Sequence, residues 1–256
     1  MIFLVWQSGM KEFLVENQQK LKKMKIHSDL SKNAFSQTVE LLWRQSPMAG
    51  VKRRMIERDG EEVARATSLV SYAAESSFSA HRHDKGEEFL VMDGVFSDET
   101  GDFPKGSYVR NPPGSEHSPH SKDGCEIFVK LRQMHLDDQS FVRIDPQQST
   151  WIQSEIPTIS YLPLHQFGSE NVALIQVEKT SDIWKTDFPH GMELLVISGC
   201  LQGKQRLCRG SWLRLAAGER IELSALEKTL FYVKTGHLPQ VSSTRAPIEW
   251  ANLLKI

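Results

Sequence analysis

Three histidines and one glutamate stand at spacings that suit a divalent metal ion. His81 and His83 are two residues apart, so in a β-strand both side chains would point to the same face. Glu87 follows at the start of an apolar run, and a Pro-Pro-Gly turn precedes His117. Imidazole nitrogens together with a carboxylate oxygen are ligands that borderline divalent ions accept. The sequence therefore predicts a metal site made by His81, His83, Glu87 and His117.

The glycines and prolines around these residues match two known motifs. The first cupin motif has the form H-x-H, three or four residues, E, six residues, G, and the second has the form G, five residues, P-x-G, two residues, H. The matching residues are His81, His83, Glu87, Gly94, Gly106, Pro112, Gly114 and His117. The chain resembles the cupin superfamily, and from Gly50 to Met134 it is similar more narrowly to the cupin domain of ChrR-type anti-sigma factors.

This resemblance implies both a fold and a metal. The fold would be all-β, built as a double-stranded β-helix, or jelly roll, which also agrees with the many short apolar runs bounded by Gly and Pro. The ChrR-type domain is associated with zinc, so zinc is the first candidate, with iron(II), manganese and nickel as alternatives that other cupins use. Four protein ligands close a tetrahedral zinc site, whereas an octahedral metal would keep two positions open.

The metal-site stretch recurs later in the chain without its ligands. Gly86–Val91 aligns with Gly191–Val196, and Gly106–Arg110 aligns with Gly210–Arg214 at nearly the same offset. The four ligand positions become Thr186, Phe188, Met192 and Ile221. We therefore predict two tandem cupin units, of which the second binds no metal and has an apolar interior.

The repeat divides the chain into four segments. Residues 36–136 would form the metal-binding unit and residues 137–240 the degenerate one. Residues 1–35 are predicted to be an N-terminal extension whose first part matches nothing in the repeat, with Met24 as an alternative start. Residues 241–256 are predicted to be a C-terminal tail with a short helix.

Composition and cysteine usage exclude several classes of protein. The net charge is −1 and no long run of Lys and Arg lies outside the N-terminus, which argues against a nucleic-acid surface. No apolar stretch is long enough to span a membrane. The three cysteines are odd in number and form no C-x-x-C motif, so we expect no disulfide framework and a cytoplasmic location. Cys125 is predicted to be a buried, unreactive thiol.

The site has candidate neighbours as well as ligands. Tyr108 and Arg110 alternate on the strand before the Pro-Pro turn, so one of them is expected to face the metal pocket. His120 lies three residues beyond His117 and is a candidate for a hydrogen bond near the site or for a position on the rim. The acidic segment from Ser97 to Asp102 is predicted to be a solvated turn.

The sequence is compatible with three classes of function. The resemblance implies a non-enzymatic regulator or sensor, although no cysteine precedes Cys125, so the zinc-binding, sigma-binding domain of such regulators is not matched. The alternative is an iron-dependent dioxygenase acting on a small carbonyl or aromatic compound. A third option is a protein that binds a small molecule in its second unit, and a homodimer is an open alternative for its assembly.

Overall fold

The computed structural model describes residues 24–238, and nearly every element in that range is a β-strand. The predicted N-terminal extension up to residue 23 and the predicted C-terminal helix lie outside the described residues. Within residues 24–238 no helix is long and apolar enough to cross a membrane. The all-β prediction is confirmed for this part of the chain.

Residues 24–144 contain fourteen strands and one short 3₁₀ helix, Thr38–Glu40. The strands are β1 (Lys25–Ile26), β2 (Ala34–Gln37), β3 (Arg44–Gln45), β4 (Val51–Asp59), β5 (Arg65–Tyr72), β6 (Ser76–Ser77), β7 (His81–Arg82), β8 (Glu87–Asp98), β9 (Gly101–Pro104), β10 (Tyr108–Asn111), β11 (Glu116–His117), β12 (His120–Ser121), β13 (Cys125–Leu131) and β14 (Val142–Ile144).

The second part contains ten further strands. They are β15 (Ile152–Gln153), β16 (Ile159–Phe167), β17 (Glu170–Val177), β18 (Asp182–Asp187), β19 (Met192–Ser198), β20 (Cys200–Gln202), β21 (Arg206–Cys208), β22 (Ser211–Leu215), β23 (Arg220–Ala225) and β24 (Thr229–Thr235).

Two large antiparallel sheets share one strand order. In the first sheet the order is β1-β4-β5-β13-β8-β10-β14, and in the second it is β15-β16-β17-β24-β19-β22-β2. The repeated sequences occupy equivalent places, because Gly86 and Gly191 immediately precede β8 and β19, and Gly106 and Gly210 stand just before β10 and β22. A smaller sheet, β18-β23-β20-β21, faces the second large sheet, and the pair β7-β11 carries two of the predicted metal ligands.

Each large sheet takes one edge strand from across a predicted border between the two units. β2 pairs with β22, with Ala34 opposite Arg214, and β14 pairs with β10, with Val142 opposite Arg110. The segments near the predicted borders at residues 36 and 137 therefore connect the two sheets. The repeat could not reveal this, because neither edge strand belongs to the repeated sequence.

Three apolar cores result from the alternation of side chains along the strands. One lies inside the first unit, one between the two large sheets, and one inside the second unit. The first is formed by Phe89, Val91, Phe96, Phe103, Val109, Cys125, Ile127 and Val129. The second includes Leu69, Leu90, Tyr108, Phe128, Leu174, Leu195, Trp212 and Tyr232. The third includes Ile175, Trp184, Phe188, Met192, Leu194, Leu201, Leu207 and Phe231.

The backbone conformation requires glycine at the last position of the first motif, and the same holds at the aligned position of the repeat. Gly94 has φ of 70° and Gly199 has φ of 81°, a region that side chains other than glycine rarely adopt. A Cβ atom on Gly94 would lie 2.2 Å from the carbonyl oxygen of Gly124, and one on Gly199 would lie 2.4 Å from that of Lys228. Only glycine allows the neighbouring strand to approach this closely.

The cysteines differ from the expectation. Cys200 and Cys208 lie opposite each other on β20 and β21 and form a disulfide. The sequence predicted no disulfide framework and did not reveal this single bond, because the strand register brings together two residues that no C-x-x-C motif marks. The inference of a cytoplasmic location loses that support. Cys125 is buried as predicted, and burial raises the pKa of its thiol to about 11, so it stays protonated at neutral pH.

Candidate metal centre

The predicted ligand residues meet where the short strands β7 and β11 lie beside the start of β8. His81 on β7 lies directly opposite His117 on β11 in an antiparallel pair. His83 follows β7, where its carbonyl oxygen accepts a hydrogen bond from the amide of Gly114 at 2.7 Å and its amide donates to Ser115 O at 2.9 Å. These backbone bonds hold the Pro-Pro-Gly turn against the H-x-H segment, so the two motifs assemble into one site.

The side chains converge to distances that suit one ion. Nε2 of His83 lies 3.0 Å from Nε2 of His117, and the Oε2 atom of Glu87 lies 3.4 Å from each of these nitrogens. The ligand atoms of His81, His83 and His117 all lie within 4.8 Å of one another. Two ligands bound to one ion at about 2.0–2.1 Å have a similar separation. The donor set and its geometry therefore fit a divalent metal.

The protonation states of His83 and Glu87 favour metal binding. Burial lowers the pKa of His83, and the adjacent His117 and His81 lower it further, so His83 is neutral at neutral pH. Burial alone would raise the pKa of Glu87, but the imidazoles of His83 and His117 and a hydrogen bond from Asn111 hold it below its usual value. His83 and Glu87 thus present a neutral imidazole and an ionised carboxylate, as a metal requires. Burial alone would lower the pKa of His117, but Asp98 and Glu87 raise it, so a metal ion competes with a proton at that residue.

Comparison with known proteins finds a family match and several structures of similar fold. Residues 31–135 match the family described as the ChrR cupin-like domain, and no curated protein matches the chain. A structure from Nostoc punctiforme described as a putative dioxygenase is similar, with a TM-score of 0.70, 15% identity, and coverage of 86% of this chain and 88% of that one. The fold is that of a cupin.

Two further cupin structures cover most of this chain. The bacterial pirin YhhW from Escherichia coli, solved in complex with nickel(II), has a TM-score of 0.59 and 12% identity over 82% of this chain and 100% of its own. The oxalate decarboxylase of Lactobacillus farciminis, solved as a formate complex, has a TM-score of 0.58 and 10% identity over 82% of this chain and 87% of its own. At these identities the similarity concerns the fold alone.

Asp98 orients one of the predicted ligands, His117. Its buried carboxylate accepts a hydrogen bond from Nδ1 of His117 at 3.1 Å, which leaves Nε2 directed towards His83 and Glu87. Burial alone would raise the pKa of Asp98, yet hydrogen bonds from His117 and Thr100 hold it at about 2. The prediction of a solvated turn was wrong at this residue, because β8 continues to Asp98 and carries it under β11.

Asn111 orients Glu87 as Asp98 orients His117. Its Nδ2 donates to Oε2 of Glu87 at 3.1 Å, and its Oδ1 accepts from Arg143 at 2.7 Å. Sequence reasoning missed both residues, although Asn111 stands immediately before the Pro-Pro turn. Arg143 comes from β14, which long-range pairing places beside β10.

The neighbours predicted from the sequence lie elsewhere. Tyr108 and Arg110 both point between the two large sheets, where they donate to the same Glu88 oxygen at 2.7 Å and 2.6 Å. Neither faces the metal pocket, because β10 turns these alternate positions away from the first core. His120 is exposed on β12, and its Nδ1 lies 3.5 Å from the carbonyl oxygen of Ser118, which corresponds to the rim position.

Three of the four positions that align with the predicted ligands carry apolar side chains, and the fourth is Thr186. Phe188, Met192 and Ile221 are buried in the third core. Glu193, which follows the lost glutamate position, points instead to Lys130 between the sheets. Within residues 24–238, His81, His83 and His117 form the one cluster of three or more side chains suited to a metal.

We expect Asp98→Asn to weaken metal binding without unfolding the protein. The amide cannot stabilise the required tautomer of His117 as the carboxylate does, and loss of such outer partners typically costs about 10–100-fold in metal affinity. Chelator competition titrations with Zn²⁺ would measure the change. Asp102→Asn is the matched control, because Asp102 lies on the same hairpin but is exposed and bonded to Ser97. Equal affinities in the two variants would contradict the role of Asp98.

Proposed function

We propose that this protein is a bicupin whose first unit binds one divalent metal ion, with zinc as the first candidate, and that it acts as a regulator or sensor. The observation that carries the proposal is the convergence of His83, His117 and Glu87, with His81 beside them, in a segment similar to the ChrR cupin-like domain. The shared strand order of the two large sheets supports a second, metal-free unit.

The interior beneath the site favours a compact metal centre over a substrate chamber. The ring of Phe96 lies 6.0 Å from that of His117, centroid to centroid, and Phe89 packs on Phe96 at 4.5 Å. Phe103 continues the stack at 6.4 Å. Aromatic side chains rather than open space therefore occupy the barrel on this side of the ligands.

The surroundings of the site suggest how a bound ion would act in a regulator. Zinc would supply a central positive charge that links four side chains into one unit. Asp98 and Asn111 fix the orientation of His117 and Glu87, so the ligands need little rearrangement when the site fills or empties. Metal occupancy would then change the stability of the β7–β11 end of the first unit, which is a local change that a partner could detect.

A second candidate function is a metal-dependent dioxygenase with iron(II), acting on a small carbonyl or aromatic compound. The specific observation in its favour is the position of His81, which is only partly buried and so leaves one side of the site close to solvent. The fold similarity to the Nostoc punctiforme structure is consistent with this alternative.

Metal identity and oxygen uptake distinguish the two functions. The purified protein would be analysed for zinc, iron, manganese and nickel, then reloaded with iron(II) and tested with a panel of β-diketones and hydroxyaryl ketones. We expect tightly bound zinc and no substrate-dependent oxygen uptake. Native iron with substrate-dependent uptake that Glu87→Ala abolishes would overturn the regulator in favour of the dioxygenase.

A further inference from the structure

A cavity of about 750 Å³ lies in the second unit, away from the metal centre. It opens between the β2–β22 edge of the second large sheet and the small sheet that contains β21 and β23. Its apolar wall is formed by Leu207, Leu213, Leu215, Ile221 and Leu223. All but Leu213 are buried, so the wall is continuous with the third core.

The repeat explains why a cavity is found here. His117 lies opposite His81 on β11 and β7, and Ile221 lies opposite Thr186 on β23 and β18, so the two pairs are structurally equivalent. At the same alignment Asn111, which supports Glu87, becomes Leu215. Two polar residues of the metal centre are thus replaced by apolar side chains that line the cavity.

The size of the side chains changes as well. The first unit stacks Phe89, Phe96 and Phe103 behind its metal site. The aligned residues in the second unit are Leu194, Leu201 and Leu207. Three aromatic rings are therefore replaced by leucines, and Leu207 lines the cavity at the position of Phe103. The loss of ring volume and the loss of ligands occur together.

We propose that this cavity binds a small, uncharged and largely apolar molecule, of about the size of two or three fused or linked rings. Its volume lies within the range of small-molecule sites, about 300–1,000 Å³, and a leucine-rich wall bordered by polar side chains is a lining that such sites use. The rim carries Lys204 and Arg220 together with Asp182 and Glu222, so it offers no net charge. A net charge pressed against the leucine wall would lose its hydration without a partner.

The proposal does not depend on the metal centre. None of the residues that line the cavity belongs to the first-unit ligand set, and β2 closes its outer side through Asn33, Ala34 and Phe35. Asn33 is fixed there, because its Oδ1 accepts from the amide of Ala216 at 2.8 Å and its Nδ2 donates to Glu219 at 3.1 Å. The cavity therefore depends on the pairing of β2 with β22, which brings an early segment of the chain against the second large sheet.

A fluorescence titration of the full-length protein with N-phenylnaphthylamine, a neutral apolar probe, tests the site. We expect saturable binding of one probe per chain. Leu213→Trp, which places an indole in the cavity, should raise the dissociation constant by about tenfold or more, and Leu207→Phe, which restores the residue of the first unit, should act in the same direction. Leu136→Trp is the matched control, because Leu136 is exposed outside the cavity.

Melting temperature and metal content would show that each variant remains folded. Probe affinity should survive His117→Ala, since that change affects the other unit. The absence of saturable binding, or an unchanged affinity in a folded Leu213→Trp variant, would overturn the proposal. It would equally be overturned if the probe bound only after Trp250, Leu253 and Leu254 were replaced by alanine, because the C-terminal segment would then be the occupant.

Discussion

Replacement of His83 or His117 by alanine should abolish stoichiometric metal binding. Each residue supplies an Nε2 atom close to the Glu87 oxygen, so its loss removes a ligand at the centre of the site. The affinity should fall by more than the roughly 100-fold expected for loss of an outer partner. Elemental analysis after mild purification should change from close to one ion per chain to well below that ratio, and the melting temperature should fall because the ion binds only the native state.

His120→Ala is the control for this prediction. His120 is a histidine of the same region, but it is exposed and its Nδ1 lies near the carbonyl oxygen of Ser118 instead of the other imidazoles. It should keep the full complement of metal. Retention of full metal by the double variant His81→Ala, His117→Ala would show that the ligand assignment is wrong.

The sequence predicts which side chains converge at this site better than it predicts their surroundings. The ligands are set by local features, since a two-residue spacing, a turn and a strand start place His81, His83 and Glu87 together. Asp98 was assigned to a solvated turn from its acidic neighbours, yet it is buried beneath His117. Its burial depends on how β8 passes under β11, and no local pattern in the sequence describes that contact.

The same distinction applies to the fold. The hairpin of β4 and β5 around Asp59-Gly60 and the equivalent strand orders follow from turn residues and from the internal repeat. The exchanged edge strands do not, because β2 and β22 are separated by most of the chain and share no pattern. The disulfide between Cys200 and Cys208 likewise depends on strand register, which cysteine counting does not supply.

Buried ion pairs between the large sheets lead to the second major prediction. Lys130 donates to both carboxylate oxygens of Glu193, at 2.8 Å and 2.6 Å, and to Thr67 at 2.9 Å. A second pair mirrors this contact. Lys234, which aligns with Lys130, pairs with Glu88, which aligns with Glu193. All four charged side chains are buried. Burial alone would raise the pKa of Glu193, but Lys130 holds it well below its usual range, so the Glu193 carboxylate is ionised.

We expect Lys130→Met to lower the free energy of unfolding by about 3–5 kcal/mol, because it leaves the carboxylate of Glu193 buried without its cation. Urea denaturation monitored by circular dichroism would measure the change. Lys105→Met is the matched control. Lys105 pairs with Asp93 at 3.1 Å, but both side chains are exposed, and such surface pairs contribute about 0–1 kcal/mol.

The double variant Lys130→Met, Glu193→Leu should recover much of the lost stability. Charged groups are costly to remove from water, so replacing both partners by apolar side chains of similar size is often neutral, whereas removing one is not. Trp212 would lose its acceptor on Glu193, which limits the recovery. If the single variant cost no more than Lys105→Met, the Lys130–Glu193 pair would have to be accessible to water, and the packing of the two large sheets described above would be wrong.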